Sequence, residues 1–103
     1  MYQQGQYQQA LDEFTRAVAL RERGYDAVAT REAWWMVAWT QRAMKRNDEA
    51  LAIQLRLEQE NDAAGVPDPD VFEELEMLYR DMGDDARARF YAGRRRFVTA
   101  TGQ

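Results

Sequence analysis

The chain has 103 residues, 18 acids against 14 bases and a net charge of −4. That length makes one domain, which hides roughly 65% of the surface its unfolded form exposes. The acid excess argues against a general nucleic-acid binder and implies no membrane surface. There is no Cys, no His and no Ser, and the single Lys is Lys45. Thiol, serine and imidazole catalysis and the usual zinc sites are therefore excluded within this chain, and only carboxylate chemistry is left. Eighteen acids make chance carboxylate pairs inevitable, so the expectation is a non-enzyme with no metal and no cofactor. No apolar run approaches the ~20 residues of a bilayer span. The opening "MYQQGQYQQA" has neither the basic flank nor the apolar centre of a signal peptide, which predicts a cytoplasmic protein.

The first element is "GQYQQALDEFTRAVAL". Tyr7, Ala10, Leu11, Phe14, Ala17 and Val18 recur at spacings of three and four, one apolar stripe on a helix that Gly24 is expected to close. A second helix carries Ala33, Trp34, Val37, Ala38 and Gln41 on one face, up to a polar break over 45–48. A third starts near Asp48 with the stripe Ala50, Leu51, Ile53, Leu55 and Leu57. It ends at "NDAAGVPDP", with Gly65 as cap and Pro67 and Pro69 as breakers. From Asp70 a fourth helix turns Val71, Phe72, Leu75, Leu78 and Tyr79 inward. After a turn at Gly83 and Asp84, a fifth bears Ala88, Tyr91 and Ala92. No segment alternates with period two, so the fold class is all-α, five helices in pairs joined by short turns.

The turns repeat. "GQYQQA", "RNDEA" and "GDDARA" each end in an Ala, at Ala10, Ala50 and Ala88, just inside the later helix of a pair. Before the second and third turns, Trp34, Val37, Ala38 and Gln41 match Phe72, Leu75, Glu76 and Tyr79. Small residues at a crossing let helices stack closely, and a pair that cannot cover its own apolar face is completed by its neighbour.

This pattern resembles the tetratricopeptide repeat, whose first helix carries a large residue, Leu, Gly and Tyr and whose second carries Ala and Phe. Ala10 to Ala50 spans 40 residues and Ala50 to Ala88 spans 38, against about 34 in the ordinary form. The chain is thus similar to the longer variant found in kinesin light chains and many bacterial arrays, with Gly65, Pro69, Asp70 and Val71 as the linker between repeats. Gln41 stands where Tyr is usual, Glu76 where a small residue is usual, and Gln54 and Ala92 where bulky apolar side chains are usual. The resemblance implies one domain over 1–103, a short right-handed α-solenoid of about two and a half repeats: a partial repeat 1–24, then 25–65 and 66–100. A different helical solenoid or a plain five-helix bundle is the alternative. The Arg-rich, Lys-poor composition points to a GC-rich bacterial genome.

The run "AWWMVAW" holds all three tryptophans. Trp34 takes a packing position and is expected in the core. Trp35 and Trp39, four residues apart, lie on the face that lines the partner groove in tetratricopeptide arrays, and aromatics so spaced can anchor a peptide. Arg42 and Arg80 stand one turn beyond Trp39 and Met77 and could fork onto a ligand carboxylate. The resemblance therefore implies a protein or peptide partner held by Trp35, Trp39, Arg42, Met77 and Arg80. Each has a plainer reading, as packing for the aromatics and solvated helix ends for the arginines. The resemblance implies that the Lys, Arg and Asn with which chaperone-binding members hold a terminal carboxylate are replaced here by Asp70, Glu74 and Met36, so a chaperone tail is not expected. In the last third, acids from Asp68 to Asp85 precede Arg87, Arg89, Arg94, Arg95 and Arg96, an arrangement that predicts self-pairing rather than a nucleic-acid patch. Lastly, the stripe Tyr7, Leu11, Phe14 and Val18 has no preceding helix to share it. It is expected to be partly open, either to a second copy in a homodimer or to the rest of a longer array.

Overall fold

The computed structural model describes residues 4–23 and 27–100. They form five helices: α1 Gln4–Arg23, α2 Ala27–Ala43, α3 Asn47–Ala64, α4 Pro69–Asp81 and α5 Asp85–Ala100. The described residues contain no strand, and the chain is all-α as the apolar spacing predicts. Gly24, expected to close the first helix, lies outside the described residues. No helix among them is long and apolar enough to cross a membrane.

The later helix ends are built alike. At the end of α2, the Lys45 amide donates to Arg42 O at 3.0 Å and the Arg46 amide to Gln41 O at 2.8 Å. At the end of α4, Gly83 donates to Arg80 O at 3.1 Å and Asp84 to Tyr79 O at 2.8 Å. The end of α3 repeats the pattern, Gly65 donating to Asp62 O and Val66 to Asn61 O. Each closure satisfies carbonyls the helix leaves over, and it requires a residue with positive φ. Gly65 and Gly83 supply it at φ 73° and 81°, whereas in α2 it falls on Lys45, at φ 66°. The next helix then starts in the same register, Ala50 donating to Arg46 O and Ala88 to Asp84 O, both at 3.1 Å. The two turns therefore repeat bond for bond at the separation the alanines indicate.

Helix starts follow from side chains. Asp68 caps α4, its Oδ1 accepting from the Asp70 amide at 2.9 Å, with Pro69 as first helical residue where no amide hydrogen is needed. Asp84 caps α5, Oδ1 accepting from the Arg87 amide at 3.1 Å and Oδ2 from its guanidinium at 2.6 Å.

The chain divides into two compact units between Ile53 and Gln54. In the first, α1 and α2 pack around Leu11, Val18, Ala33, Val37 and Met44, with Tyr7, Phe14, Trp34 and Ile53 against that cluster. Arg46, just past α2, donates to Gln8 near the start of α1, so these two helices run antiparallel. Trp34 is only half-buried, unlike Phe72 at the matching place. In the second unit, α4 and α5 close on Val71, Phe72, Leu75, Leu78, Ala88, Tyr91, Ala92 and Val98. The Phe72 ring is covered by the Tyr91 ring at 6.2 Å and by the Arg94 guanidinium at 4.3 Å.

Helix α3 departs from its expected stripe. Its buried residues are Ala50, Gln54, Leu57 and Asn61, spaced four, three and four, while Leu51, Ile53 and Leu55 are half-buried on the flanks. Gln54 stands at the centre of the stripe because the steps from Ala50 and to Leu57 leave no other position there. Its side chain is fully buried with both amide atoms unpartnered among the described residues.

Two outcomes follow from the helix ends. Lys45→Gly is expected to raise stability by about 1 kcal/mol, since it relieves a left-handed non-glycine residue. Gly83→Ala should lower it by a similar amount, although an added Cβ would meet nothing within 4 Å. Urea denaturation midpoints read both. Asp84 is held below the ordinary carboxyl value of 3.8, first by the Arg87 amide and then by its guanidinium. A lowered folded value adds stability that is present above 3.8 and lost as pH falls through the folded value. Asp84→Asn should flatten acid unfolding in that window, and a carboxyl NMR titration of the parent should place Asp84 below 3.8.

Candidate functional site

On α2, the buried face is Ala33, Val37, Ala38, Thr40 and Gln41. The Thr40 hydroxyl donates back to Met36 O at 2.8 Å, which satisfies it inside the helix. Trp35 and Trp39, one turn apart, are both half-buried, and Trp35 Nε1 is a buried donor with no acceptor among the described residues. Arg42, three residues beyond Trp39, is half-buried in the last turn, where a cation complements the helix dipole. The α2 set therefore offers two half-buried indole rings and a guanidinium along one helix.

On α4, Met77 is half-buried and Arg80 exposed, again in the last turn. Arg80 Nη2 lies 2.8 Å from Glu76 Oε2. Glu76 is itself buried, and its other oxygen lies 3.3 Å from Arg95 Nη2 on α5. One carboxylate thus orients two guanidinium groups. Arg80 is exposed but paired with Glu76, so a ligand carboxylate would compete with that residue. The five residues expected to bind a partner are divided between the units, Trp35, Trp39 and Arg42 in the first and Met77 and Arg80 in the second.

On α1, Leu11 and Val18 are turned into the first unit's core, at 7% and 3% exposure. The part of that stripe a second copy could reach is therefore Tyr7 and Phe14, both half-buried.

Sequence reasoning passed over the most connected polar site. The Tyr91 hydroxyl donates to Glu58 Oε1 at 2.9 Å, and Arg94 Nη1 donates to Glu58 Oε2. Arg94 Nη2 reaches Asp62 Oδ1 at 3.3 Å. The Tyr91 ring also stacks on Tyr79 at 5.8 Å and 4°. Burial, then the Glu58 carboxylate, push the Tyr91 hydroxyl well above its usual value. The signal was present: Glu58 and Asp62 are four apart on α3, and their partners lie 33, 36 and 32 residues on, close to one repeat. No His, thiol or serine accompanies this network, and each of its groups is answered by another. Its arrangement fastens helices and offers no free base.

Comparison of the chain with protein-family models, with curated proteins and with solved structures returns no match.

Truncating Glu58 leaves Arg94 and the Tyr91 hydroxyl without their acceptor. Glu58→Ala is expected to cost about 2 kcal/mol, and a Glu58→Ala, Arg94→Ala cycle in urea denaturation should give a coupling of about 1 kcal/mol. Tyr91 has a raised folded value, so its contribution is present below the ordinary value of 10 and lost as pH rises toward the folded one. Ultraviolet titration should show one tyrosine resisting ionisation until the chain unfolds, and Tyr91→Phe should remove it.

Proposed function

We propose that the chain is a tetratricopeptide-like repeat module that binds a protein or peptide and catalyses no reaction. The residues proposed to meet the partner are Trp35, Trp39 and Arg42 on α2 and Met77 and Arg80 on α4, the groove-lining positions that the resemblance implies. The observation that supports this most is the register of the two turns. Arg42 O and Arg80 O accept the same bond of the same helix closure, from Lys45 and Gly83. Trp39 and Met77 each stand one turn earlier, so the two helices present like residues in like places.

The chemistry suits a peptide carrying a bulky apolar side chain for the indoles and a carboxylate for the guanidinium groups. With Asp70 exposed in the first turn of α4, a partner ending in several acids would be repelled there. A self-association reading has its own support in Tyr7 and Phe14, apolar rings left half-exposed beside the α1 core.

Affinity capture followed by titration calorimetry tests the groove. Arg42→Ala with Arg80→Ala should weaken the captured partner by at least about tenfold, and Trp39→Ala by a similar factor. An unchanged affinity in both would overturn the reading. For self-association, light scattering across an about hundredfold dilution should show a dimer dissociating, and Phe14→Glu should abolish it. A monomer throughout removes that branch.

A further inference from the structure

The outward face of α5 sets two exposed aromatic rings among its arginines. Phe90 and Phe97, seven residues apart, are 59% and 70% exposed. Between them is Gly93, where an added Cβ would meet nothing within 4 Å. Pro67, Phe90, Gly93, Arg94, Phe97 and Val98 line a shallow cavity of about 380 Å³ there. Such a slot, lined by a glycine and two rings, admits side chains from a closely approaching helix. Arg89 and Arg96, each one residue before a phenylalanine, are exposed and have no ion pair or hydrogen bond among the described residues.

The second unit shows what meets a helix in this position. On α3, Glu58 is the residue that receives α5, through Tyr91 and Arg94. Because the two turns repeat bond for bond, the residue of α5 that corresponds to Glu58 is Arg96. The sign at that place is reversed. A helix seated on α5 as α5 is seated on α3 would have to present a carboxylate where α5 presents a guanidinium.

We propose that the outer face of α5 is a docking surface for an amphipathic helix of a partner protein, one whose apolar stripe is bordered by carboxylates. The apolar side chains enter the slot beside Gly93 between Phe90 and Phe97, and the carboxylates pair with Arg89 and Arg96. A second copy meeting this face with its own would bring Arg89 and Arg96 against their counterparts, a like-charge arrangement. An anionic membrane fits less well, because the chain carries a net −4 and the slot is concave. This surface shares no residue with the α2 and α4 set, so the two readings stand or fall separately.

The probes are two synthetic helical peptides of about 18 residues with the same leucine stripe, one bordered by glutamates and one by lysines. Titrated into the full chain, the glutamate peptide should bind at least about tenfold tighter than the lysine peptide. Phe90→Ser with Phe97→Ser should weaken it by about tenfold or more. Arg89→Glu with Arg96→Glu should reverse the preference, and both variants should melt as the parent does because all four side chains are exposed. Failure of the glutamate peptide to bind, equal binding of the two, or binding indifferent to the phenylalanines overturns the proposal. So does binding to phosphatidylserine vesicles in place of the peptide, which would make the face a membrane contact. A dimer lost on Phe97→Ser, without peptide binding, would make it a contact between copies.

Discussion

The carboxylate of Glu58 is the constraint on which the second unit depends. It accepts from the Tyr91 hydroxyl and from Arg94 at once, and each donor reaches it from a residue that is also packed on Phe72. A carboxylate largely withdrawn from water beside aromatic rings would be costly without such answers. With them, polar and apolar demands agree on one placement of α5 against α3, with the Phe72 ring of α4 beneath. Tyr91 cannot be ionised without losing its hydrogen bond to Glu58, and burial first, then that carboxylate, push its hydroxyl up.

The repeat is a property of the backbone before it is one of side chains. Gln41 and Tyr79 have little chemistry in common, yet their carbonyls accept the same closing bond at the same 2.8 Å. Lys45 and Gly83 differ as much as any two residues can in left-handed propensity, and both adopt it. A turn that imposes φ 66° on a lysine is over-determined by what flanks it. On one side are the buried residues of α2, and on the other is Ala50, fully buried at the start of α3. The polar character of Gln41 is also used, since its amide donates to Glu49 at 3.3 Å across the same turn.

The helices were legible because their signals are local. Gly65 and Gly83 mark ends, Asp68 with Pro69 marks a start, and the three and four spacing of Val71, Phe72, Leu75 and Leu78 gives the buried face of α4 directly. Helix α3 was read less well for a physical reason. Its buried positions include the polar Gln54 and Asn61, while Leu51, Ile53 and Leu55 are half-buried on its flanks, so apolarity stops reporting burial. The partner-binding set was legible only as positions. Periodicity places Trp39 with Met77 and Arg42 with Arg80, but says nothing of Glu76, which holds Arg80 by a bond within its own helix. The Glu58 network was missed because it joins residues a repeat apart, where neither helical spacing nor charge runs point.

The basic stretch of α5 shows what a charge count conceals. Arg87 is answered by Asp84, Arg94 by Glu58 and Asp62, and Arg95 by Glu73 and Glu76. These three cations are spent on the unit's own acids; Arg87 and Arg95 pair with the acidic stretch as expected, whereas Arg94 turns to Glu58 and Asp62 on α3. Arg89 and Arg96 are left over, and they are not scattered. They stand one helical face apart from the answered ones, beside Phe90 and Phe97, in a chain whose net charge is negative. A helix that neutralises its inner cations and leaves its outer ones beside exposed rings has two faces with opposite requirements. The inner face is answered by the unit's own acids, while the outer one sets two guanidinium groups beside two exposed rings.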